Sequence, residues 1–389
     1  MNENLQKSLD SLEKLGLWFL YAKYCVPSKD VFFWSPYIQA LPDAEDLNHV
    51  LFMTDEEVDI LKGSFAHSTA VELRARAKRT FNLLRTELFQ DEDVDALAEC
   101  TTLSENAWNW AMATVLARHQ RYIDLKLVES NSKANKQQED GGEKKQDGAT
   151  EQTAKPESFP AIVPYFDFIG YYPTASGLYG RTADGLYHAE LEHFDEGEVL
   201  RGISADCGAM LFVRFGLHLR NSPFPCASLP SSFISTYAPK ASRELEARRK
   251  DGFNHLEQAG LNNHIFHIFE STITEELLLR SEMVNMALED YEAINTADDE
   301  LREELSMKTR LKALRWLGKS VEAYLETNFP TTIEQDEKKL HNPEYLSTLS
   351  RRSQIALTVI HEEKNTLQSF INAVESHISA SGADEHDEL

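Results

Sequence analysis

A chain of 389 residues with 42% hydrophobic side chains has the length and apolar content for two ordinary globular domains or one large one. Its 39 Lys and Arg against 64 Asp and Glu leave a formal net charge of -25 at pH 7. That balance excludes nucleic acid and anionic membrane as default partners, because both are themselves negative, and it favours a basic segment of another protein. Apolar residues recur at helical spacing from Leu5 through Leu9, Leu12 and Leu15 to Trp18 and Phe19, then over Val71 to Leu88 and Ala107 to Leu125, which predicts a mostly helical first part. Between Glu129 and Ser158 no Ile, Leu, Val, Met, Phe, Tyr or Trp occurs, so this polar segment cannot bury enough surface to order itself and reads as a flexible insertion. Phe159 to Phe224 is rich in Tyr, Phe, Val and Gly in short runs, which predicts short strands and turns. From about Arg243 the chain reads as helical again. Leu277, Val284, Leu288 and Tyr291 form one stripe, Leu314, Leu317, Val321 and Tyr324 a second, and Ala356, Ile360, Leu367, Phe370, Val374 and Ile378 a third. The fold class expected is α+β and helix-rich.

The four cysteines, Cys25, Cys100, Cys207 and Cys226, are widely spaced without a CxxC pair. Neither a zinc site nor a disulfide framework is expected from them, and they read as core thiols in a reducing compartment. No apolar run approaches the length of a membrane span, and the chain opens Met1-Asn-Glu-Asn4 without a signal-like stretch, so a cytoplasmic or nuclear location is expected. The C-terminal His386-Asp-Glu-Leu389 spells an endoplasmic-reticulum retrieval signal, which a receptor would read if an upstream signal preceded Met1.

The most specific local signal is Phe329-Pro-Thr-Thr-Ile-Glu-Gln-Asp-Glu-Lys-Lys-Leu340. Pro330 closes the preceding segment, Thr331 or Thr332 can cap a helix, and Glu334 or Gln335 completes a capping box three residues on. Glu334, Asp336 and Glu337 crowd the first turn, where the helix dipole favours negative charge. Together with Ser350 to Leu367, which contains Arg352, Ala356 and Glu363-Lys364, this stretch resembles the C-terminal helical domain of SET proteins of the rubisco large-subunit methyltransferase type. Phe33-Trp-Ser-Pro-Tyr-Ile-Gln-Ala-Leu-Pro42 and Leu61-Lys-Gly-Ser64 are similar to two further segments of that family, and Trp110-Ala111 to Arg118 resembles its helix-to-strand entry to the active site.

The resemblance implies a helical domain that docks protein substrates. It also implies methyl transfer from S-adenosylmethionine to a protein lysine, or in one branch a histidine, by orientation and desolvation of a neutral amine. By motif position the cofactor-binding candidates are Arg118, Asp167, Gly170 and Tyr171; no catalytic residue can be assigned and no metal is expected. The chain departs from the family pattern. No Gly-x-Gly precedes Trp34, and in Pro164-Tyr-Phe-Asp-Phe-Ile-Gly-Tyr171 the positions of the family's Asn-His are held by Gly170 and Tyr171, which are poor replacements for an amide and an imidazole. Gly197 to Gly208 lies where a catalytic tyrosine is expected, yet no tyrosine occurs between Tyr187 and Tyr237. In a divergent active enzyme Tyr171, Tyr172 or Tyr179 would have to stand in.

The expected organisation is a helical insertion region of a SET-like domain over 1-128, a disordered linker over 129-158, the C-terminal part of the SET-like domain over 159-240, a helical substrate-binding domain over 241-380 and an acidic tail over 381-389. The expected function is binding of a protein substrate or partner by a degenerate relative with weak or no S-adenosylmethionine-dependent methyl transfer. The alternatives are an active protein-lysine N-methyltransferase and a structural or assembly factor. Elsewhere, His264 and His267 share a helical face at i, i+3 among apolar neighbours, which suggests core packing over a metal site. Ser204 with Asp206, and Cys207 with His218, lack the elbow or helix-start context of an activated nucleophile.

Overall fold

The computed structural model describes residues 7–26, 32–89, 104–123, 158–164, 166–168, 170–171, 179–181, 187–189, 200–201, 207–219, 222, 225–258, 261, 265–291 and 299–380. The linker expected over 129-158, save Ser158, and the tail 381–389 lie outside these residues. The chain divides into two compact units, one of Met1–Leu47 with Arg74–Ala205 and one of Asn48–Leu73 with Asp206–Leu389. In this division Asn48–Leu73 goes with the C-terminal helices, and the second unit resumes at Asp206.

In chain order the first described elements are α1 (Ser11–Tyr24), α2 (Ser35–Ala40), α3 (Asp55–Val58), α4 (Phe65–Phe89) and α5 (Glu105–Arg118). The strands β1 (Gln120–Ile123), β2 (Ser158–Ala161), β3 (Gly170–Tyr171), β4 (Tyr179–Arg181), β5 (Tyr187–Ala189) and β6 (Leu200–Arg201) follow. Then come α6 (Gly208–Phe215), β7 (Cys226–Pro230), α7 (Ser232–Tyr237), α8 (Arg243–Gln258), β8 (Ile265–Phe269), α9 (Glu275–Asn285), α10 (Asp299–Asn328), α11 (Ile333–Leu340), α12 (Pro343–Thr348) and α13 (Arg351–Ala380).

In the first unit, α1 starts with a capping box in which Asp10 accepts from the Glu13 amide at 2.8 Å and Glu13 accepts from the Asp10 amide at 2.9 Å. Glu13 is buried, and its second oxygen takes Arg76 Nε at 3.1 Å and Thr80 Oγ1 at 2.9 Å, so the cap also ties α1 to α4. Gly16 lets α1 and α5 approach: a Cβ there would lie 2.6 Å from Met112 Sδ. Trp108 and Trp110 on α5 are fully buried, and their indoles donate to the carbonyls of Ala77 at 2.9 Å and Pro42 at 2.8 Å. The helix read as far as Leu125 ends at Arg118, because His119 turns extended and its ring sits against the last carbonyls. Its continuation is β1, which pairs antiparallel with β2 and parallel with β4 in a sheet of order β2-β1-β4-β5. A separate parallel pair joins β3 to β6.

The second unit buries one cluster that includes Leu277 and Val284 on α9, Leu317, Val321 and Tyr324 on α10, and Ala356, Ile360, Leu367, Phe370 and Val374 on α13. These are members of the three predicted stripes. Two elements differ from the sequence reading. Gly208–Phe215, inside the region read as strands, is the buried helix α6, terminated by Gly216 at φ +68, whose amide donates to Phe212 O at 2.9 Å. Ile265–Phe269, inside the region read as helical, is β8, antiparallel to β7 with Ser228 opposite His267. Alternating burial of Phe266 and Ile268 explains it: a short apolar run carries no period long enough to mark a helix.

In place of the free thiols expected from their spacing, Cys207 and Cys226 form a disulfide, and Cys25 is also disulfide-bonded. Cys207 caps α6 and Cys226 opens β7, against which α6 packs. Their proximity comes from this tertiary contact and leaves no trace in local spacing. Among the described residues no helix is long and apolar enough to cross a membrane.

Candidate functional site

Of the residues nominated from sequence, the first unit brings Arg118 and Asp167 together. Asp167 sits in a short 3-10 turn, Phe166–Phe168, with its side chain almost fully buried. Arg118, on the last turn of α5, donates to Asp167 Oδ2 at 2.9 Å and reaches its carbonyl at 3.3 Å. Tyr37 of α2 donates its hydroxyl to the same Oδ2 at 2.7 Å. Phe168 completes the cluster, 5.0 Å from the guanidinium and 5.8 Å from the Tyr37 ring. One carboxylate oxygen is thus doubly held, whereas Oδ1 is buried without a hydrogen-bond partner among the described residues. Charge-assisted bonds of this kind fix the turn that leads directly into β3.

Gly170 and Tyr171 form β3, and their backbones pair in parallel with Leu200 and Arg201 of β6. The segment where the resemblance implies Asn-His therefore lies beside the segment where it implies the catalytic tyrosine. The side chains of Tyr171 and Tyr179 lie outside the described residues, as do Tyr172, Ser204 and Asp206. Tyr37 was legible only as part of an aromatic family segment, and nothing local marked it as the partner of an aspartate far along the chain.

The second unit assembles the family-like segments into a buried polar network. Thr332 caps α11 and Gln335 closes the box, with hydrogen bonds of 3.3 and 3.0 Å. Of the acidic run, Glu334 and Glu337 are exposed but Asp336 turns inward. Lys364 of α13 donates to Asp336 Oδ2 at 2.6 Å, to Thr331 O at 2.6 Å and to Thr331 Oγ1 at 3.0 Å, so each of its three protons has an acceptor. The Asp336 and Lys364 side chains are each 1% exposed. Burial pushes the Lys364 ammonium below its usual pKa, and Asp336 opposes that shift. Phe329 lies under the ammonium at 5.0 Å.

The turn Leu61-Lys-Gly-Ser64 closes the same cluster. Gly63 adopts φ +98, and a Cβ there would fall 2.7 Å from Phe329 Cα. Tyr324 donates to Gly63 O at 2.8 Å, while Ser64 bonds to Glu363 through its side chain and Ser228 through its backbone. Glu363 is buried and one of its oxygens has no partner among the described residues. Burial raises its pKa to about 7 against the hydrogen bonds and Lys364, which favour the charged form. Beside this network lies a cavity of about 230 Å³ lined by residues that include Glu56, Asp59, Pro330, Thr331, Tyr345 and Leu357. Glu56 and Asp59 are exposed acids at this cavity, and Lys62, hydrogen-bonded to Asp59 at 2.8 Å, holds the Asp59 carboxyl below its usual pKa.

His267 stands on β8 and not on a helix, and its Nδ1 lies 3.2 Å from Cys207 Sγ. His264 lies outside the described residues. His218 does not meet Cys207 as a base; its Nε2 lies 3.5 Å from Glu362.

Residues 249–367 match the family described as Rubisco LSMT substrate-binding. Among solved structures, the chain is similar to the SET domain of LSMT bound to MeLysine and AdoHcy, with 17% identity and a TM-score of 0.55 over 96% of this chain and 76% of that one. It is also similar to Rubisco LSMT bound to AdoMet, with 15% identity and a TM-score of 0.54 over 96% of this chain and 77% of that one. At such identity the likeness is one of fold: a SET-like, helix-rich α+β chain. No curated protein matches the sequence.

Proposed function

Starting from a chain that carries a Rubisco LSMT substrate-binding domain on a rubisco LSMT-like fold, we propose that this protein binds a protein partner and transfers methyl groups weakly or not at all. The observation that carries this reading is the state of the residues at the cofactor-binding positions. Gly170 has no side chain to offer S-adenosylmethionine, and Asp167 commits its Oδ2 to Arg118 and Tyr37. Arg118 and Tyr37 use Asp167 Oδ2 to hold the turn before β3, which supports a structural role for this cluster. The helical domain, in which residues 249–367 match the Rubisco LSMT substrate-binding family, supports the binding half of the reading.

The partner side of the proposal rests on charge. Exposed Glu56 and Asp59 beside an open cavity, in a chain of net charge -25, suit a basic segment of a protein. Calorimetry of the full chain with S-adenosylmethionine tests the first half: no heat of binding at high micromolar ligand is expected, and a micromolar Kd overturns the reading in favour of an active lysine methyltransferase. A Lys-rich peptide titrated against the chain tests the second half. Binding is expected to weaken with salt and to fall at least tenfold in the Glu56→Lys/Asp59→Lys variant; equal affinity for both proteins rejects this surface.

A further inference from the structure

Cys207, Cys226 and His267 come from three separate elements of the second unit and converge on one point. Cys207 is the cap of α6, Cys226 opens β7, and His267 lies on β8, which pairs with β7. Their ligand atoms all lie within 4.8 Å of one another. Cys207 and Cys226 are 1% and 8% exposed, while His267 is only half-buried and gives the cluster a side toward solvent. The Ser228 hydroxyl sits 3.4 Å from the same imidazole nitrogen that faces Cys207.

We propose that this cluster is a redox-gated cation site, closed as the disulfide and, once reduced, holding one zinc-type divalent ion through two thiolates and His267 Nδ1. The chemistry of the donors selects the ion: thiolate and imidazole suit borderline-soft zinc and discriminate against calcium and magnesium, which take oxygen ligands. The geometry is close to what is needed. In a tetrahedral zinc site, with Zn–S near 2.3 Å, sulfur and nitrogen ligands sit roughly 3.5 Å apart, and the present Sγ···Nδ1 separation is 3.2 Å. Side-chain rotation after the S–S bond opens lets the two sulfurs part to roughly 3.8 Å. The N-terminus of α6 favours the thiolate of Cys207. Three protein ligands leave a fourth position for water or another donor.

The gate is a balanced exchange. A small-molecule or protein dithiol attacks the disulfide, becomes a disulfide itself and leaves Cys207 and Cys226 as two thiols. Zinc then displaces their protons, so binding is accompanied by proton release.

The test uses the full chain, chelator-treated, in oxidised form and after reduction with a phosphine. Zinc competition against a chromophoric chelator is expected to give one tight site per reduced chain and none in the oxidised chain. Cobalt(II) is expected to give a tetrahedral spectrum with a thiolate-to-metal band, and X-ray absorption of the zinc form two sulfurs and an imidazole. Cys226→Ser should lose the thiolate site, and His267→Gln should keep the sulfurs but lose the imidazole signature. Because a cysteine variant can fail to fold, the absorption measurement on the unsubstituted protein stands independently. A reduced chain that binds no zinc, or whose signature is unchanged in His267→Gln, overturns the site; equal binding by the oxidised chain overturns the gate.

Discussion

Two buried aspartates separate the halves of this protein. Asp336 in the second unit meets a lysine whose every proton is accepted, inside a seam sealed by Phe329, Gly63 and Tyr324. Asp167 in the first unit holds Arg118 and Tyr37 with one oxygen and leaves the other buried without a partner among the described residues. The difference lies in the cation: the lysine beside Asp336 has all its protons accepted, whereas Asp167, like Glu363 beside Lys364, keeps one buried oxygen without a partner among the described residues. The segments that resemble the LSMT family most specifically therefore report how the helical domain is closed.

The largest expected effect comes from breaking the closed pair. Lys364→Ala leaves the buried Asp336 with only the longer Lys339 contact at 3.8 Å and should cost about 3 kcal/mol in denaturant unfolding. The double variant Lys364→Met/Asp336→Leu should recover most of that loss, since an apolar replacement removes both desolvated charges. If Lys364→Ala costs less than about 1 kcal/mol, the seam is not sealed and the contrast with Asp167 collapses.

Next comes Glu363. Its pKa is raised by burial from 4.5 to about 7, so the folded state favours the protonated acid. The stability this contributes is present below pH 4.5 and lost as pH rises to about 7. Glu363→Gln, neutral throughout, should match the parent protein near pH 4.5 and exceed it at pH 8 by up to roughly 3 kcal/mol, at about 1.4 kcal/mol per pKa unit. His49 works the other way: burial lowers its pKa from 6.5 to about 4, so its contribution is present above 6.5 and lost toward 4. Urea midpoints of the two proteins at both pH values isolate Glu363, because His49 is common to both. A difference that does not change with pH sinks the assignment.

The helical stripes and a cap at Thr331 or Thr332 were legible in the sequence, because amphipathic periods and capping boxes are local signals, whereas Leu61-Lys-Gly-Ser64 was legible only through the family resemblance. Gly63 is the sharper case. The residue stood in a family-like segment, but its reason, a positive φ packed on Phe329 Cα, is tertiary. Gly63→Ala should cost roughly 2 kcal/mol in the same unfolding experiment, from backbone strain and the contact with Phe329. What sequence could not show was nonlocal: the Cys207–Cys226 bond, the strand at Ile265–Phe269, and the turning of Asp336 inward while its acidic neighbours face water.

The smallest expected effect tests the open half of the comparison. Tyr37→Phe removes one donor from Asp167 Oδ2 and leaves the Arg118 bond, so the loss should be about 1.5 kcal/mol, the scale of a hydrogen bond to a charged group. It is smaller than the loss at Lys364 because Arg118 still neutralises the charge. Arg118→Met on the Tyr37→Phe background should then cost more than Arg118→Met alone, since Asp167 would lose its last donor. Strict additivity of the two changes would mean that Asp167 has another partner, and the description of a half-used carboxylate would fall with it.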